Sequence, residues 1–301
     1  MIYYIVDVFT NKPFGGNQLA VFLDLEDKCS DEQMLAIARE INFSETTFIK
    51  GDLGENTFRV RIFTPEYEVP FAGHPVLGTA YVIHHYLSGS NTSELILDVP
   101  HGLIPISISK KENDMCYSMV QAQPEFYKTY KPEDISSDLG ISIDDLDTDI
   151  PIQEISTGLP YLIIPMKSLN AVQKLHLKDG DCLNFLKRHH LYKSNSVSGL
   201  TTAFFFITSE TVGVDTNYHA RMFCYENGHI VEDAATGSAN GCALAYLLKY
   251  RSSEIEAVVE QGFEMNRPSY IHINGSKEKD YYHLNVKGHV VEISSGSWNT
   301  F

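Results

Sequence analysis

One pattern occurs twice in this chain, roughly 160 residues apart, and it restricts the fold more than any other feature. In its first copy Arg61-Ile-Phe63 leads to Gly73-His-Pro75 and then to a helix opening Gly78-Thr-Ala80. In its second copy Arg221-Met-Phe223 leads to Thr236-Gly-Ser238 and then to a helix opening Gly241-Cys-Ala243. Each copy reads as strand, Gly-rich turn, helix. A duplicated half leaves such a trace, and so does a chance likeness between two α+β segments. The chain has 301 residues, which fits two domains of about 150 residues each.

The apolar periodicity around these copies predicts an α+β chain. Residues 2–9 and 19–23 read as strands joined by the turn Asn11–Asn17. Ser30 with Gln33 forms a capping-box pattern, and Met34, Ile37 and Ile41 give the following helix an apolar face that ends near Asn42. Strand-like runs follow at SETTFIK, TFRVRIF and ELILDV, with a helix predicted over Val76–Leu87. The later half repeats the alternation. Strands are predicted at Glu154–Ser156, Tyr161–Ile164, TTAFFFITS and YHARMFCY, and helices at Cys182–His190 and Asn240–Tyr250. Tyr270–Ile273 and Val286–Ile293 read as closing strands, and Ser194–Gly199 as a surface loop.

Charge narrows the partners. The formal net charge is -16, which disfavours nucleic acid and anionic membranes, whose recognition needs clustered Lys and Arg. An anionic small molecule then needs a local positive potential. The five cysteines (Cys29, Cys116, Cys182, Cys224 and Cys242) include no CxxC pair, which argues against a disulfide framework or a zinc site. His84-His85 and His189-His190 lack carboxylate or Cys partners at ligand spacing, so no metal and no cofactor is expected. The N-terminus has no basic n-region, and no run approaches a membrane span, so a cytoplasmic protein is expected.

The two Gly-rich turns supply the local potential. Gly73, His74 and Pro75 stand before one predicted helix, and Thr236, Gly237 and Ser238 before the other. At a helix start the backbone N–H groups are free and the dipole adds about half a positive charge, so a carboxylate is welcome there. A glycine before a helix also serves an ordinary turn, and that reading stays open. Neither segment is a P-loop or a dinucleotide fingerprint.

Several separated motifs resemble the PhzF (phenazine biosynthesis-like) family. They include Phe14-Gly-Gly-Asn17, Asn42-Phe-Ser-Glu-Thr46, Glu68-Val-Pro-Phe-Ala-Gly-His-Pro75, Ser156-Thr-Gly-Leu-Pro160, Asp233 with Ala235-Thr-Gly-Ser-Ala239, and Gln261-Gly262 with Arg267-Pro-Ser269. The resemblance implies a diaminopimelate epimerase-like fold of two similar halves, each a barrel-like sheet around a central helix. The expected division is 1–118 plus 286–301 for one half and 119–285 for the other, with the active site in the cleft between them. A homodimer is also implied.

The resemblance further implies an isomerase that moves a proton on a dihydro-hydroxyanthranilate-like, small anionic substrate. Glu45 matches the family's proton-shuttling carboxyl group, and His74 and Asp233 match its assisting residues. Ser44, Gly73, Thr236, Gly237 and Ser238 are the matching substrate-binding positions. A glutamate in an apolar cleft can serve as base and acid near neutrality. Epimerase relatives use two thiols instead, but Cys224 and Cys242 do not stand at the helix-opening turns. A non-catalytic binding protein on the same scaffold is the other alternative. Two departures from the family pattern are Gln18 and Ala234, both where Pro is common; Ala234 is expected to loosen the turn that aims Asp233.

Overall fold

The computed structural model describes residues 1–89, 91–111, 114–193 and 199–299. The strands of the first stretch are β1 (Ile2–Val8), β2 (Asn17–Leu23), β3 (Glu45–Gly54), β4 (Thr57–Phe63), β5 (Glu68–Val69), β6 (Glu94–Val99), β7 (Gly102–Lys111) and β8 (Asp114–Val120). Those of the second are β9 (Glu125–Tyr130), β10 (Ile152–Ser156), β11 (Pro160–Pro165), β12 (Ala203–Thr208), β13 (Tyr218–Glu226), β14 (His229–Asp233), β15 (Glu254–Gln261), β16 (Ser269–Glu278) and β17 (Tyr281–Gly288). A last strand, β18 (Val290–Ser297), follows. The helices are α1 (Asp31–Ile41), α2 (Gly73–Tyr86), α3 (Pro132–Leu139), α4 (Leu169–Gln173), α5 (Asp179–Arg188) and α6 (Gly237–Tyr250).

The chain divides into two units, Met1–Val120 with Lys287–Phe301, and Gln121–Val286. In the first, β1 lies antiparallel between β2 and β18. Strand β2 runs parallel to β3, β3 antiparallel to β4, and β4 is flanked by antiparallel β5 and parallel β6. Strands β6, β7 and β8 continue as an antiparallel meander. Helix α2 packs against β1, β2, β3, β6 and β8. It is buried nearly all round, as its apolar character on every face requires.

The second unit repeats these pairings one for one. Strand β10 lies antiparallel to β9 and β11, β11 parallel to β12, and β12 antiparallel to β13. Strand β13 is flanked by antiparallel β14 and parallel β15, and β15 by antiparallel β16. Helix α6 packs against β10, β11, β15 and β16. The duplicated Arg-x-Phe motif has one structural role in both units. Arg61 grips Glu68 with Nε and Nη2 at 2.7 and 2.6 Å and lies over Phe63. Arg221 grips Glu232 at 2.8 Å twice and lies over Phe223. Each two-pronged grip ties together the hairpin that runs into a central helix.

Both central helices begin earlier than their periodicity suggests, at Gly73 rather than Val76 and at Gly237 rather than Asn240. Gly73, His74 and Pro75 are the first helical turn, not a preceding loop; Pro75 is tolerated because first-turn N–H groups have no intrahelical partner. Both helices have 14 residues. Matching their starts pairs His74 with Ser238 and Gly78 with Cys242, so the Gly-x-Ala triplets of the sequence repeat stand one residue out of step. Gly78 is required by close approach: a Cβ there would stand 2.6 Å from Leu19 Cδ2 and 2.9 Å from Val8 Cγ2.

Elsewhere local chemistry explains the elements. Ser30 and Gln33 form the expected capping box, and α1 ends at Asn42 with φ 57°. Its Met34, Ile37 and Ala38 fill a cluster with Phe22, Phe48 and Phe63. The closing apolar run is two strands, not one. It breaks at His289, whose carbonyl accepts the Phe9 N–H at 2.8 Å. Residues 194–198 of the predicted surface loop lie outside the described residues. Among the described residues no helix is long and apolar enough to cross a membrane.

Candidate active site

The first unit brings Glu45, Gly73 and His74 together. Strand pairing sets Glu45, the first residue of β3, beside Leu19 of β2. His74 is the second residue of α2, and its Nε2 lies 3.4 Å from Glu45 Oε2. The Glu45 side chain keeps 18% of its surface exposed, against 5% for His74. Burial pushes the His74 pKa down to about 3, with a backbone hydrogen bond to Gln18 opposing it. His74 is therefore neutral at physiological pH. A neutral imidazole places no fixed positive charge beside Glu45. Asn17 Nδ2 approaches His74 Nδ1 at 3.3 Å within the same buried group. Asn17 belongs to the Phe14-Gly-Gly-Asn17 motif, which is the signal that could have marked it as a site residue. Ser44 is exposed, immediately before β3.

The start of α2 is buried but lacks a side-chain cap among the described residues. Its N-cap is Ala72. Helices α1 and α4 do carry such caps, from Ser30 and Ser168. The α6 start follows the α2 pattern: Thr236 is its N-cap and makes no side-chain capping bond. Gly73, His74, Gly237 and Ser238 are all buried. The N–H groups at such a buried helix start, left without a capping side chain from the N-cap residue, favour an anion.

The second unit brings Asp233, Thr236, Gly237 and Ser238 together at the end of β14 and the start of α6. The Thr236 hydroxyl donates to Asp233 Oδ2 at 2.5 Å. Gln261 donates to the Asp233 carbonyl at 2.9 Å and to Thr236 Oγ1 at 3.1 Å, and accepts from the Thr236 N–H at 3.3 Å. Ser269 Oγ donates to the Ala234 carbonyl at 3.0 Å. The turn is thus held from outside by bonds that do not depend on a proline at position 234. Gly262 is part of the clamp, because a Cβ there would stand 2.5 Å from the Ala234 carbonyl oxygen and 2.6 Å from that of Arg267. Ser238 Oγ lies 2.7 Å from the Tyr161 hydroxyl. Tyr161 follows the Ser156–Pro160 motif directly, and nothing in the pattern of that motif marks it.

The thiols are placed away from the helix starts. Cys242 is buried in α6, 3.5 Å from Thr157 Oγ1, and burial pushes its pKa up to about 12. Cys224 lies on β13. Among the described residues no group of three or more His, Cys, Asp or Glu side chains could hold a metal ion.

With this geometry in view, the chain matches the phenazine biosynthesis-like protein family over residues 6–296. It belongs to that family. A trans-2,3-dihydro-3-hydroxyanthranilate isomerase from Pseudomonas aeruginosa is 31% identical over 284 residues, 92% of each chain. A PhzF-family protein from Bacillus anthracis has a similar crystal structure, with a TM-score of 0.86, 26% identity and 98% of both chains covered. The PhzF fold extends to distant enzymes. A hydroxyproline epimerase from Agrobacterium vitis shares it at 9% identity and a TM-score of 0.59, covering 98% of this chain and 91% of the other. The fold is thus the α+β, diaminopimelate epimerase-like duplication expected from sequence.

Proposed function

We propose that this PhzF-family chain is an isomerase that shifts a proton on a small, cyclic, carboxylated carbon acid, with Glu45 as its general acid and base. The observation that carries the reading is the contact of a partly exposed Glu45 carboxyl with a buried, neutral His74. The carboxylate can take a proton from carbon and return it elsewhere on the same face, and the neutral His74 beside it brings no positive charge. The buried starts of α2 and α6 would receive the substrate carboxylate through Gly73, His74, Gly237 and Ser238. Ser44, Thr236 and Asp233 complete the binding set. In this reading Asp233, with Thr236 already donating to it, accepts from a substrate N–H or O–H.

The dihydro-hydroxyanthranilate class is proposed from the Pseudomonas aeruginosa relative's name. A two-thiol epimerase finds no support here, because a thiol with a pKa near 12 inside α6 is not a thiolate at neutral pH.

Incubation in heavy water with trans-2,3-dihydro-3-hydroxyanthranilate, followed by NMR, tests the reading. Wild type is expected to isomerise the compound, and Glu45→Gln to lose that activity. Turnover that persists in Glu45→Gln would move the chemistry to another group. Silence of the wild type toward this compound would defeat the substrate class.

A further inference from the structure

The second unit contains a buried hydroxyl pair of which the reading above uses only Ser238. Tyr161 on β11 and Ser238 in the first turn of α6 lie 2.7 Å apart, each only 4% exposed. Strand register shows that the pair has no counterpart in the first unit. Thr46 pairs with Phe63 there, and Phe204 pairs with Phe223 here, so Ala203 holds the place of Glu45. Leu19 pairs with Glu45 and Tyr161 with Ala203, so Tyr161 holds the place of Leu19. A phenol thus replaces an apolar side chain beside the residue that corresponds to His74.

The direction of this bond follows from acidity. A phenol has an ordinary pKa near 10 and is a far better hydrogen-bond donor than an aliphatic alcohol. Burial pushes the Tyr161 pKa well above that value, with the Ser238 bond opposing, so it keeps its proton. When the phenol donates to Ser238 Oγ, the serine must aim its own proton elsewhere. Thr236, the other hydroxyl at this helix start, has its proton on Asp233. Ser238 is then the side-chain donor left for a ligand oxygen at this helix start.

We infer that Tyr161 is a positioning residue that donates to Ser238 and so turns the Ser238 hydroxyl toward the carboxylate of the bound substrate. The inference rests on the isomerase reading for the identity of the ligand, and it adds a residue that sets affinity for carboxylated substrates. A bond made equally in ground and transition states changes KM rather than kcat.

A double-mutant cycle on trans-2,3-dihydro-3-hydroxyanthranilate turnover tests it. Tyr161→Phe and Ser238→Ala are each expected to raise KM about tenfold, the worth of a hydrogen bond to a charged group, with little change in kcat. In the Ser238→Ala background, Tyr161→Phe should add nothing, because it acts through the missing hydroxyl. Ser238→Thr restores a hydroxyl and should restore sensitivity to Tyr161→Phe. Multiplicative effects in the double variant, or a fall in kcat at unchanged KM, would overturn the role given to Tyr161 while the isomerase reading stands. A wild type inactive on this compound would defeat the substrate class, and with it the ligand assigned here to Ser238.

Discussion

The two units share one set of strand pairings and two central helices of equal length, yet matching positions carry different chemistry. Where the first unit has Glu45 and His74, the second has Ala203 and Ser238. Where the first approaches its helix through Val69 and Ala72, the second does so through Asp233 and Thr236. Duplication preserved the parts that set geometry: the Arg–Glu grip, the parallel crossings and the buried, uncapped helix start. The polar side chains at matching positions diverged. In the proposed reading the acid/base carboxyl belongs to one unit, and the hydroxyl and carboxylate binding groups to the other.

The sharpest way to break that contrast is to remove the groups at its two poles. Glu45→Gln is expected to lower kcat about thousandfold, within the usual range for a lost general acid–base group, with little loss of stability because the side chain is partly exposed. Asp233→Asn should lower kcat/KM far less, mainly through KM. Steady-state kinetics on both variants decides between them. Equal loss of kcat in both would mean that the halves share the proton transfer.

Next in size is the clamp on the second unit's turn. Gly262 has φ +77°, and an added Cβ would meet two backbone carbonyls. Gly262→Ala is expected to cost about 3 kcal/mol, from strain plus overpacking, read as a shift in the urea midpoint. A cost near zero would show that Gly262 does not hold the Ala234 turn.

The smallest effect concerns pH and separates His74 from Ser238. The folded-state pKa of His74 lies below its unfolded value because burial disfavours the charged ring. Between about pH 6.5 and pH 3 the unfolded chain therefore binds a proton that the folded chain refuses. Stability falls as pH drops through that window, by at most about 1.4 kcal/mol per pH unit from this group. His74→Asn should flatten the slope of unfolding free energy between pH 6.5 and pH 5, whereas Ser238→Ala should leave it unchanged. An identical slope in His74→Asn would mean that the ring is charged in the folded state.

Much of this was legible in the sequence, for reasons that differ by element. The capping box at Ser30 and the Asn42 terminus are local chemistry, and local chemistry is written in adjacent residues. The duplication was visible because Arg61-x-Phe63 and Arg221-x-Phe223 each have one job, gripping a glutamate across a hairpin. The starts of α2 and α6 were misplaced by three residues because their first turns hold Gly, His, Pro and Ser, which carry no helical periodicity. Contacts made across strands were hidden. Nothing local to Tyr161 shows that it meets Ser238, 77 residues away. Likewise, the bonds from Gln261 to Asp233 and Thr236 and from Ser269 to Ala234 come from β15 and β16, so nothing adjacent to position 234 announces them.

The central claim is that one carboxyl group, on one unit, removes and returns the proton. It is tested most directly with substrate deuterated at the carbon that loses its hydrogen, turned over once by the wild type in ordinary water. A single shuttle at Glu45 predicts product that carries part of the substrate's own deuterium at the newly protonated carbon. Product that carries only solvent hydrogen there, after even the fastest single turnover, would contradict the account and point to a second group that supplies the proton.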